Sequence, residues 1–517
     1  MRQTSRSMML VFTAIGLSFL APFNEFAGAQ APIGSTGCGS GHGPDIIISD
    51  IQSIANFPSF EGIDAFGFGH TQCNIGDAEL GWSAWTNDHP VFGANLFRIR
   101  NGRFEQLGLS WLVHGFVALS NNVCSCGCIP TNGTTFGIGC SDSNSAFIQA
   151  LASVNGPRSE VNAHTGNFLF PHGDGIPIPN GYGIFKRLQV SVSDLDPAQN
   201  GGGSYYVEMF TIAPGDALAG NGANNASYRK VAASQTNGEW QLAFAAQPVR
   251  GYPAIYAWQL EDPQVVIRQV PVPGDGLFLA GAKATYVGEG FWEYEYAIEN
   301  LNVERAARAV LVDIPSDVVV QNVGFHDVDY HSGEPFDSTD WTALFNDAET
   351  YLRWYTTPFE VNPNANALRW STTYNFRFQA NRAPVPGSVT IDLFKPGTPA
   401  SVVAELIVPN PVRPDCNLNN IDDACDLTCL IDGSLCDVAD CGQSGDVNSN
   451  GLPDECESLG DSNNDGDVDL LDFAVLTDCL NGPGLPAPSD ECTVFDIAAD
   501  DDVDLHDFAP VMNSFAP

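Results

Sequence analysis

Alternation with a period of two residues marks strands in the second half of the chain. Over 291–299, aromatic and aliphatic residues alternate with acidic ones, which predicts a half-buried strand with one apolar and one acidic face. The same alternation recurs over 368–378, and apolar runs at 389–393 and 402–408 predict further strands. Because turn residues separate these segments, we predict an antiparallel β-sandwich at 260–409.

The preceding region, 30–259, mixes short apolar runs with frequent turn residues. Buried strands are predicted at 45–50 and over 110–119. The 51 glycines and 34 prolines of the chain suit turn-rich β domains better than helical bundles. Strands do not alternate with helical segments, which argues against a nucleotide-binding α/β fold. We therefore predict that this region is β-rich as well.

Near the end of the chain the pattern changes to regularly spaced carboxylates. Within 461–472, oxygen-bearing side chains occupy loop positions one, three, five, seven, nine and twelve, and Gly466 occupies position six. This is the arrangement of an EF-type loop, which surrounds Ca²⁺ with oxygen ligands. The predicted Ca²⁺ ligands are Asp461, Asn463, Asp465, Asp467, Asp469 and Asp472.

A second, degraded copy of the loop spans 496–507. Its predicted Ca²⁺ ligands are Asp496, Asp500, Asp502, Asp504 and Asp507. Ala498 at position three has no side-chain oxygen and Asp501 replaces the glycine at position six, so we expect a weaker or water-completed site. Pro510 also limits the first turn of the helix expected after this loop.

Helices are expected after both loops, because apolar residues recur there at steps of three and four. The expected core positions are Phe473, Leu476 and Leu480 in the first helix, Phe508, Val511 and Phe515 in the second, and Val468 and Val503 in the loops. Cys479 and Cys492 are expected to join the segments between the two copies.

The C-terminal part is strongly acidic. The segments 415–426 and 446–457 share the pattern D-x-N-x-N-[NG]-[IL]-x-D-x-C-[DE], whose oxygens suit a hard cation. From Pro411 onward there are 25 Asp and Glu against one Arg, in a chain of formal net charge −41. Charge this dense repels itself unless cations screen it, and a solvated acidic tail is the alternative. Nucleic acid is not an expected partner, because no basic patch is present to neutralise phosphates.

The N-terminus and the cysteines indicate export. Arg2 and Arg6 precede an apolar segment at 8–20, and a small-residue cleavage site follows at 27–29, which is typical of a secretory signal peptide. An uncleaved N-terminal anchor is the alternative. No later apolar stretch is long enough to span a membrane. We therefore expect a secreted, extracellular or cell-surface protein with no transmembrane segment after cleavage.

The 14 cysteines fall into two groups, six within 38–140 and eight within 416–492. This clustering predicts local disulfides in each region, although the pairings cannot be deduced. The C-x-C-x-C run at 124–128 could instead hold a soft metal ion.

The paired loops, each followed by a short helix, resemble a type I dockerin over 460–517. The resemblance implies two calcium ions, a helical fold with near two-fold symmetry and docking onto a cohesin domain. In that family, loop positions ten and eleven help to choose the cohesin and are often hydroxylated. Here those positions are Leu470 and Leu471, then Leu505 and His506, which departs from the family pattern.

Segments of the larger region resemble a family of secreted proteins from planctomycete-type bacteria, which has no established activity. They are C-N-I-G at 73–76, H-P at 89–90, G-R-F-E-Q at 102–106, S-W at 110–111, G-P-R-S-E-V-N at 156–162 and N-N-A-S-Y-R at 224–229. Members of that family often end in such C-terminal modules, so the resemblance implies an architecture and a location but no reaction.

No zinc-protease, nucleophile-elbow or phosphate-loop motif is present. On a strand, Asp327, Asp329 and His331 would share one face and could bind a metal or flank a substrate, and the alternative is a solvent-facing polar edge above a buried aromatic face. A weaker candidate comprises Arg158, Glu160 and His164, with ordinary loop hydrogen bonding as the alternative. Trp341 and Trp354 could stack on sugar rings or belong to the core. Catalytic residues therefore stay unassigned.

The predicted organisation is a signal peptide at 1–29, an N-terminal Cys-containing β-rich domain at 30–259, a β-sandwich domain at 260–409, a Cys-rich acidic calcium-repeat segment at 410–459 and a dockerin-like EF-hand pair at 460–517. The predicted fold class is thus mainly β, with antiparallel β-sandwich-type domains before a small α-helical module. Two functions fit it. One is a calcium-binding, non-catalytic binding or scaffolding protein, anchored to a cohesin-like or cell-envelope protein or to polysaccharide. The other is a polysaccharide-degrading, glycoside hydrolase-like enzyme with a dockerin-type anchor.

Overall fold

The structure is a computed structural model. It describes residues 37–39, 42–173, 183–288, 290–315, 318–346, 350–411, 421, 423–427, 441–445, 453, 460, 470–485, 487–488, 492, 495–496 and 502–508. The described residues fall into two compact units, one within Gln30–Glu455 and one within Cys456–Pro517. The predicted signal peptide and most of the predicted 410–459 segment lie outside the described residues, so both stay predictions.

The strands of the described residues are all paired antiparallel. Those of the first half are β1 (Ile46–Phe60), β2 (Ile63–Asn74), β3 (Leu80–Gly81), β4 (Val91–Arg100), β5 (Arg103–Leu109), β6 (Leu112–His114), β7 (Thr135–Phe136), β8 (Ser141–Asn144), β9 (Asn155–Gly156), β10 (Leu188–Ser191), β11 (Ser204–Ile212), β12 (Ala226–Thr236) and β13 (Glu239–Phe244). Those of the second half are β14 (Val266–Pro271), β15 (Leu277–Gly288), β16 (Phe291–Asn300), β17 (Ala307–Asp313), β18 (Val320–His326), β19 (Thr342–Asn346), β20 (Tyr351–Tyr355), β21 (Thr372–Ala380), β22 (Pro384–Leu393) and β23 (Ser401–Pro409).

Helices are short and few in the described residues. They are α1 (Ala146–Gln149), α2 (Pro214–Ala219), α3 (Tyr256–Glu261), α4 (Asp423–Leu427) and α5 (Leu470–Cys479), and three 3₁₀ turns lie at Ala152–Val154, Arg158–Glu160 and Val192–Leu195. The predicted fold class is confirmed: antiparallel sheets form most of the chain, and short helices follow at the C-terminus. The predicted strand over 110–119 is shorter than expected, because only Leu112–His114 pairs.

The first half forms a β-sandwich. One sheet has the order β1-β2-β10, with β8 also on β2, and the other has the order β13-β12-β11-β4-β6-β9, with β5 also on β4. Apolar side chains of both sheets, such as Phe66, Leu96 and Val207, form one buried cluster between them. Disulfides Cys38–Cys126, Cys73–Cys124 and Cys128–Cys140 join loops of this half, which confirms the disulfide prediction for 38–140.

The second half forms another sandwich. Its sheets have the orders β14-β15-β16-β21-β18 and β19-β20-β17-β22-β23. Trp354 of β20 lies 5.5 Å from Phe376 of β21, measured between ring centroids, and the Tyr296 hydroxyl donates to the carbonyl of Ile407 at 2.7 Å. Aromatic side chains from the facing strands therefore fill the space between the two sheets.

The acidic face of β16 is buried, in contrast to the predicted half-buried strand. All residues from Tyr294 to Asn300 are buried. Ala297 packs with Trp258 in a cluster shared with the first sandwich, and Arg103 of β5 forms ion pairs with Glu293 at 2.5 Å and with Glu295. The alternation was correct, but the second face contacts a neighbouring sheet rather than water. Period two alone cannot distinguish these cases, because both preserve the alternation.

Candidate functional site

Three carboxylates lie together near the C-terminus. Asp502, Asp504 and Asp507 are buried, and one carboxylate oxygen of each lies within 4.8 Å of the others. The Asp507 carboxylate accepts from the Asp504 backbone N–H at 2.9 Å, and Asp502 accepts from that of Gly484 at 2.5 Å. These bonds orient the carboxylates, whose charges repel one another in the absence of a cation.

A small apolar core supports this trio. It contains Leu476, Cys479, Cys492, Phe495 and Val503, all almost fully buried. The disulfide Cys479–Cys492 forms as predicted, and Val503 at loop position eight faces the core as predicted. Leu480, in contrast, is 36% exposed and follows the end of α5, so it does not extend the apolar face of that helix.

The structure brings together only part of the predicted ligand set. Asp472 is buried at the start of α5 and Asp496 is half-buried, but within the described residues neither joins the trio. The remaining predicted ligands, Asp461, Asn463, Asp465, Asp467, Asp469 and Asp500, lie outside the described residues. So do the predicted core positions Val468, Val511 and Phe515. Their role in Ca²⁺ binding stays a prediction.

The spacing of the acidic residues, the short helices and the disulfide agree with a comparison with known families. Residues 459–516 match the dockerin type I domain. No match was found among curated proteins. The residues before 459 have no family assignment, so the planctomycete-type resemblance of the larger region stays a prediction. The dockerin and the disulfides indicate a modular protein at the cell surface or in the extracellular space.

The residues of the dockerin fit a calcium ion. Dockerin domains bind Ca²⁺, and the buried Asp502 Oδ1 has no hydrogen-bond partner. A hard cation is the natural partner for such an oxygen beside two other carboxylates. Loop positions ten and eleven of the second copy are exposed, because Leu505 is 77% exposed and the side chain of His506 is 81% exposed.

The first catalytic candidate does not assemble on a strand. The strand β18 ends at His326, before Asp327, Asp329 and His331. Asp327 accepts a hydrogen bond from the Asn366 amide at 2.5 Å, and burial raises its pKa to about 6. His331 is bonded through its ring nitrogens to the Leu109 carbonyl and to the Ser332 hydroxyl, and burial lowers its pKa to about 4. These groups are occupied in separate hydrogen bonds.

Arg158, in the second candidate, links the two sandwiches. Its guanidinium donates to the carbonyls of Ser110, Ala94 and Ser371 at 2.7, 3.2 and 3.1 Å, and to the Asn95 side chain at 2.9 Å. Ser110 and Ala94 belong to the first sandwich, and Ser371 directly precedes β21 of the second. Burial lowers the Arg158 pKa to about 10, so the group stays charged at neutral pH. Its role is structural.

The other members of these candidate sets also have ordinary structural positions. The Glu160 carboxylate accepts from the Gly173 backbone N–H at 2.9 Å, and His164 is half-buried. Trp341 and Trp354 are 4% and 0% exposed, so both belong to the core rather than to a sugar-stacking surface.

Two carboxyl groups of the interface are fully buried. Glu208 accepts from the backbone N–H of Ala254 at 2.7 Å and from the Asn95 amide at 3.0 Å, and Glu299 lies close by. Burial raises the pKa of both carboxyl groups, that of Glu208 to about 7, and repulsion from Glu208 adds to the rise in the pKa of Glu299. The cavity beside Glu208 has a volume of about 20 Å³, enough for one water molecule.

The structure contains a larger cavity that the sequence patterns did not predict. This histidine cavity has a volume of about 280 Å³, and its walls include Trp85, His114, Phe116, Ser153, Phe170 and His172. His114 Nδ1 lies 2.9 Å from His89 Nε2, and the rings of His114 and His172 lie 4.7 Å apart between centroids. Two of the nine histidines of the chain therefore line the cavity, and a third, His89, contacts His114.

Burial determines the charge state of His89 and His114. Burial lowers the pKa of His89 to about 4 and that of His114 to about 3, so both are neutral at physiological pH. Gly156 packs directly against the rings of His114 and His172, because a Cβ there would lie 2.5 Å from His114 Nε2 and 3.0 Å from His172 Cγ. His89 and Gly156 belong to the segments 89–90 and 156–162, which carry the planctomycete-type resemblance. That resemblance was the feature of the sequence that could have pointed to this cavity.

Among the described residues, none of the helices has the length and apolarity needed to cross a membrane.

Proposed function

We propose that this is a secreted or cell-surface, calcium-binding modular protein, in which the dockerin anchors a β-rich region with a non-catalytic binding or scaffolding role. The observation that carries the proposal is the dockerin at 459–516, with its buried trio Asp502, Asp504 and Asp507. A dockerin implies a cohesin partner, so the β-rich region is the part delivered to that partner's location.

Calcium supplies the positive charge that this dockerin lacks. The segment 459–516 contains no lysine or arginine, so its carboxylates cannot be neutralised by its own basic side chains. In the proposed holo state, Asp502, Asp504 and Asp507 hold one ion with Asp496 and Asp500, and the loop from Asp461 to Asp472 holds a second. Each ion joins loop and helix and thereby stabilises the surface that meets the cohesin.

A polysaccharide-degrading enzyme is the alternative that also suits a dockerin. Glycoside hydrolysis generally requires two carboxyl groups beside the scissile bond. In the part of the chain that the structure describes, the histidine cavity is lined by no Asp or Glu, and the cavity beside Glu208 accommodates only a water molecule. The binding role is therefore the better supported of the two.

The test is calcium-dependent binding of the full-length protein to a panel of immobilised type I cohesin domains. We expect binding in millimolar Ca²⁺ and its loss in EDTA. The double variant Asp461→Ala/Asp507→Ala should bind at least tenfold more weakly, because each substitution removes a ligand from one loop. Asp478→Asn, an exposed aspartate of α5, is the matched control and should bind like the wild type.

Binding that is unchanged in EDTA, or no binding to any cohesin in Ca²⁺, would contradict the proposed anchor.

A further inference from the structure

We propose that the histidine cavity binds a neutral sugar ring, with Trp85 against the C–H face of the ring and His114 and His172 at its hydroxyl groups. This inference deepens the binding role proposed above and rests on it. It assigns a class of ligand to the β-rich region and a place within that region where the ligand binds.

The size of the cavity suits one ring. Its volume of about 280 Å³ is far above the roughly 10–15 Å³ needed to hold one water molecule and near the lower end of small-molecule pockets, which begin at about 300 Å³. A single pyranose unit of a longer chain therefore fits, and the rest of the chain can continue into solvent.

The aromatic wall provides an apolar contact surface. Trp85 is 67% exposed, and its ring lies 5.6 Å from that of Phe116 and 6.2 Å from that of Phe170, both edge to face. These contacts hold one edge of the indole while leaving much of it open to a ligand. Indole pairs a large apolar face with a polar N–H, which suits ligands that are apolar on one side and polar at the rim.

The backbone holds Trp85 in a costly conformation. Its φ is +62°, in the left-handed region that a bulky side chain rarely adopts. A tight loop maintains it: the Ser83 N–H donates to the Asp88 carbonyl at 2.5 Å, and the Thr86 hydroxyl donates to the Ser83 carbonyl at 2.6 Å. Such strain concentrates at ligand-binding positions, where the surrounding structure compensates for its cost.

His114 provides hydrogen bonds without charge. A neutral imidazole has one donor and one acceptor, which matches the two roles of a hydroxyl group. The contact between His89 Nε2 and His114 Nδ1 fixes the orientation of the His114 ring and leaves its Nε2 as the second polar atom. His89 is thus a positioning residue for His114. Ser153 adds a hydroxyl to the same wall.

Charged ligands and metal ions fit this cavity less well. No described residue that lines the cavity is Asp, Glu, Lys or Arg, and the formal net charge of −41 repels anions. Among the described residues, His89, His114 and His172 do not bring one nitrogen each within 4.8 Å of one another, and one nitrogen of His114 is already bonded to His89. A three-histidine metal site would need rearrangement of these rings.

The experiment measures ligand binding to the full-length protein by calorimetry and tryptophan fluorescence. The probes are neutral oligosaccharides of glucose, xylose, mannose and galactose, with oligogalacturonate and Zn²⁺ as comparators. We expect at least one neutral oligosaccharide to bind. Trp85→Ala should weaken that binding tenfold or more, and Trp85→Phe should give an intermediate affinity because part of the aromatic face is retained. Phe147→Ala, another exposed aromatic position (72% exposed) that does not line the cavity, should bind like the wild type.

The proposal is overturned if no neutral oligosaccharide binds, if Trp85→Ala binds as well as Phe147→Ala, or if oligogalacturonate or Zn²⁺ binds more tightly. Calcium-dependent cohesin binding is measured on the same samples. Loss of sugar binding in Trp85→Ala, with the calorimetric unfolding transition of the β-rich unit unchanged, supports the cavity and excludes misfolding. Sugar binding without any cohesin binding would contradict the anchor alone.

Discussion

The β-rich unit and the dockerin are stabilised in opposite ways. In the β-rich unit the buried Arg158 has four acceptors supplied by the protein itself, and the sheets share large apolar clusters. The described residues of the dockerin form a core of five buried side chains around one disulfide and gather three carboxylates, and its sequence contains no lysine or arginine. A large unit can satisfy its buried charges internally, whereas a small acidic one requires a cation from solution.

The strongest test of this contrast is removal of calcium. In scanning calorimetry of the full-length protein, EDTA should abolish the dockerin transition and leave that of the β-rich unit unchanged. Saturating Ca²⁺ at about a thousandfold excess over Kd contributes roughly 4 kcal/mol to the folded state. Asp461→Ala, in the loop expected to bind Ca²⁺ more strongly, should lose most of the calcium response, and Asp478→Asn should keep it. A shift of both transitions in EDTA would show that the β-rich unit also depends on the ion.

The next test concerns the internal compensation of charge in the β-rich unit. Arg158→Met removes the donors that satisfy Asn95, Ser110 and Ser371, and it leaves Glu208 without its nearby cation. We expect the free energy of unfolding to fall by about 3–5 kcal/mol, measured by urea denaturation in Ca²⁺.

The exposed Arg250→Met is the matched control and should change the stability by less than about 0.5 kcal/mol. Equal stabilities of the two variants would mean that Arg158 does not hold the sandwiches together.

The smallest expected effect is a pH dependence at the same interface. Burial raises the pKa of Glu208 from 4.5 to about 7, so the folded state retains a proton that the unfolded state releases. Below about pH 4.5 the pair therefore makes its full contribution to the free energy of unfolding. This contribution, on the order of 2–3 kcal/mol, is lost as the pH rises through about 7.

Glu299→Gln replaces the second carboxyl group with an amide, which is neutral at every pH. The fall in the urea midpoint between pH 5 and 8 should therefore shrink in this variant, and the exposed Glu360→Gln should retain the wild-type fall. A steeper fall in Glu299→Gln than in the wild type would reverse the sign assigned to the pair.

Local patterns predicted the parts of the molecule whose chemistry is contained in short segments. The alternation in β16, the positions of β22 and β23, the Cys479–Cys492 disulfide and the place of Val503 in the core were all expected from spacing. These features depend on residues close together in the sequence or on one repeated motif, so a single chain is enough to reveal them.

The histidine cavity and the burial of the acidic face of β16 depend on residues far apart in the sequence. His89, His114 and His172 come from three separate segments, and Glu295 meets Arg103 across almost two hundred residues. Likewise, the alternation placed Asp327 and His331 on one face of a predicted strand, but both residues lie beyond the end of β18. Residue order alone specified a β-rich chain with an acidic dockerin. The packing of one sandwich against the other decided which charges are buried, because burial depends on what covers a surface. The tertiary arrangement of segments within the first half formed the histidine cavity.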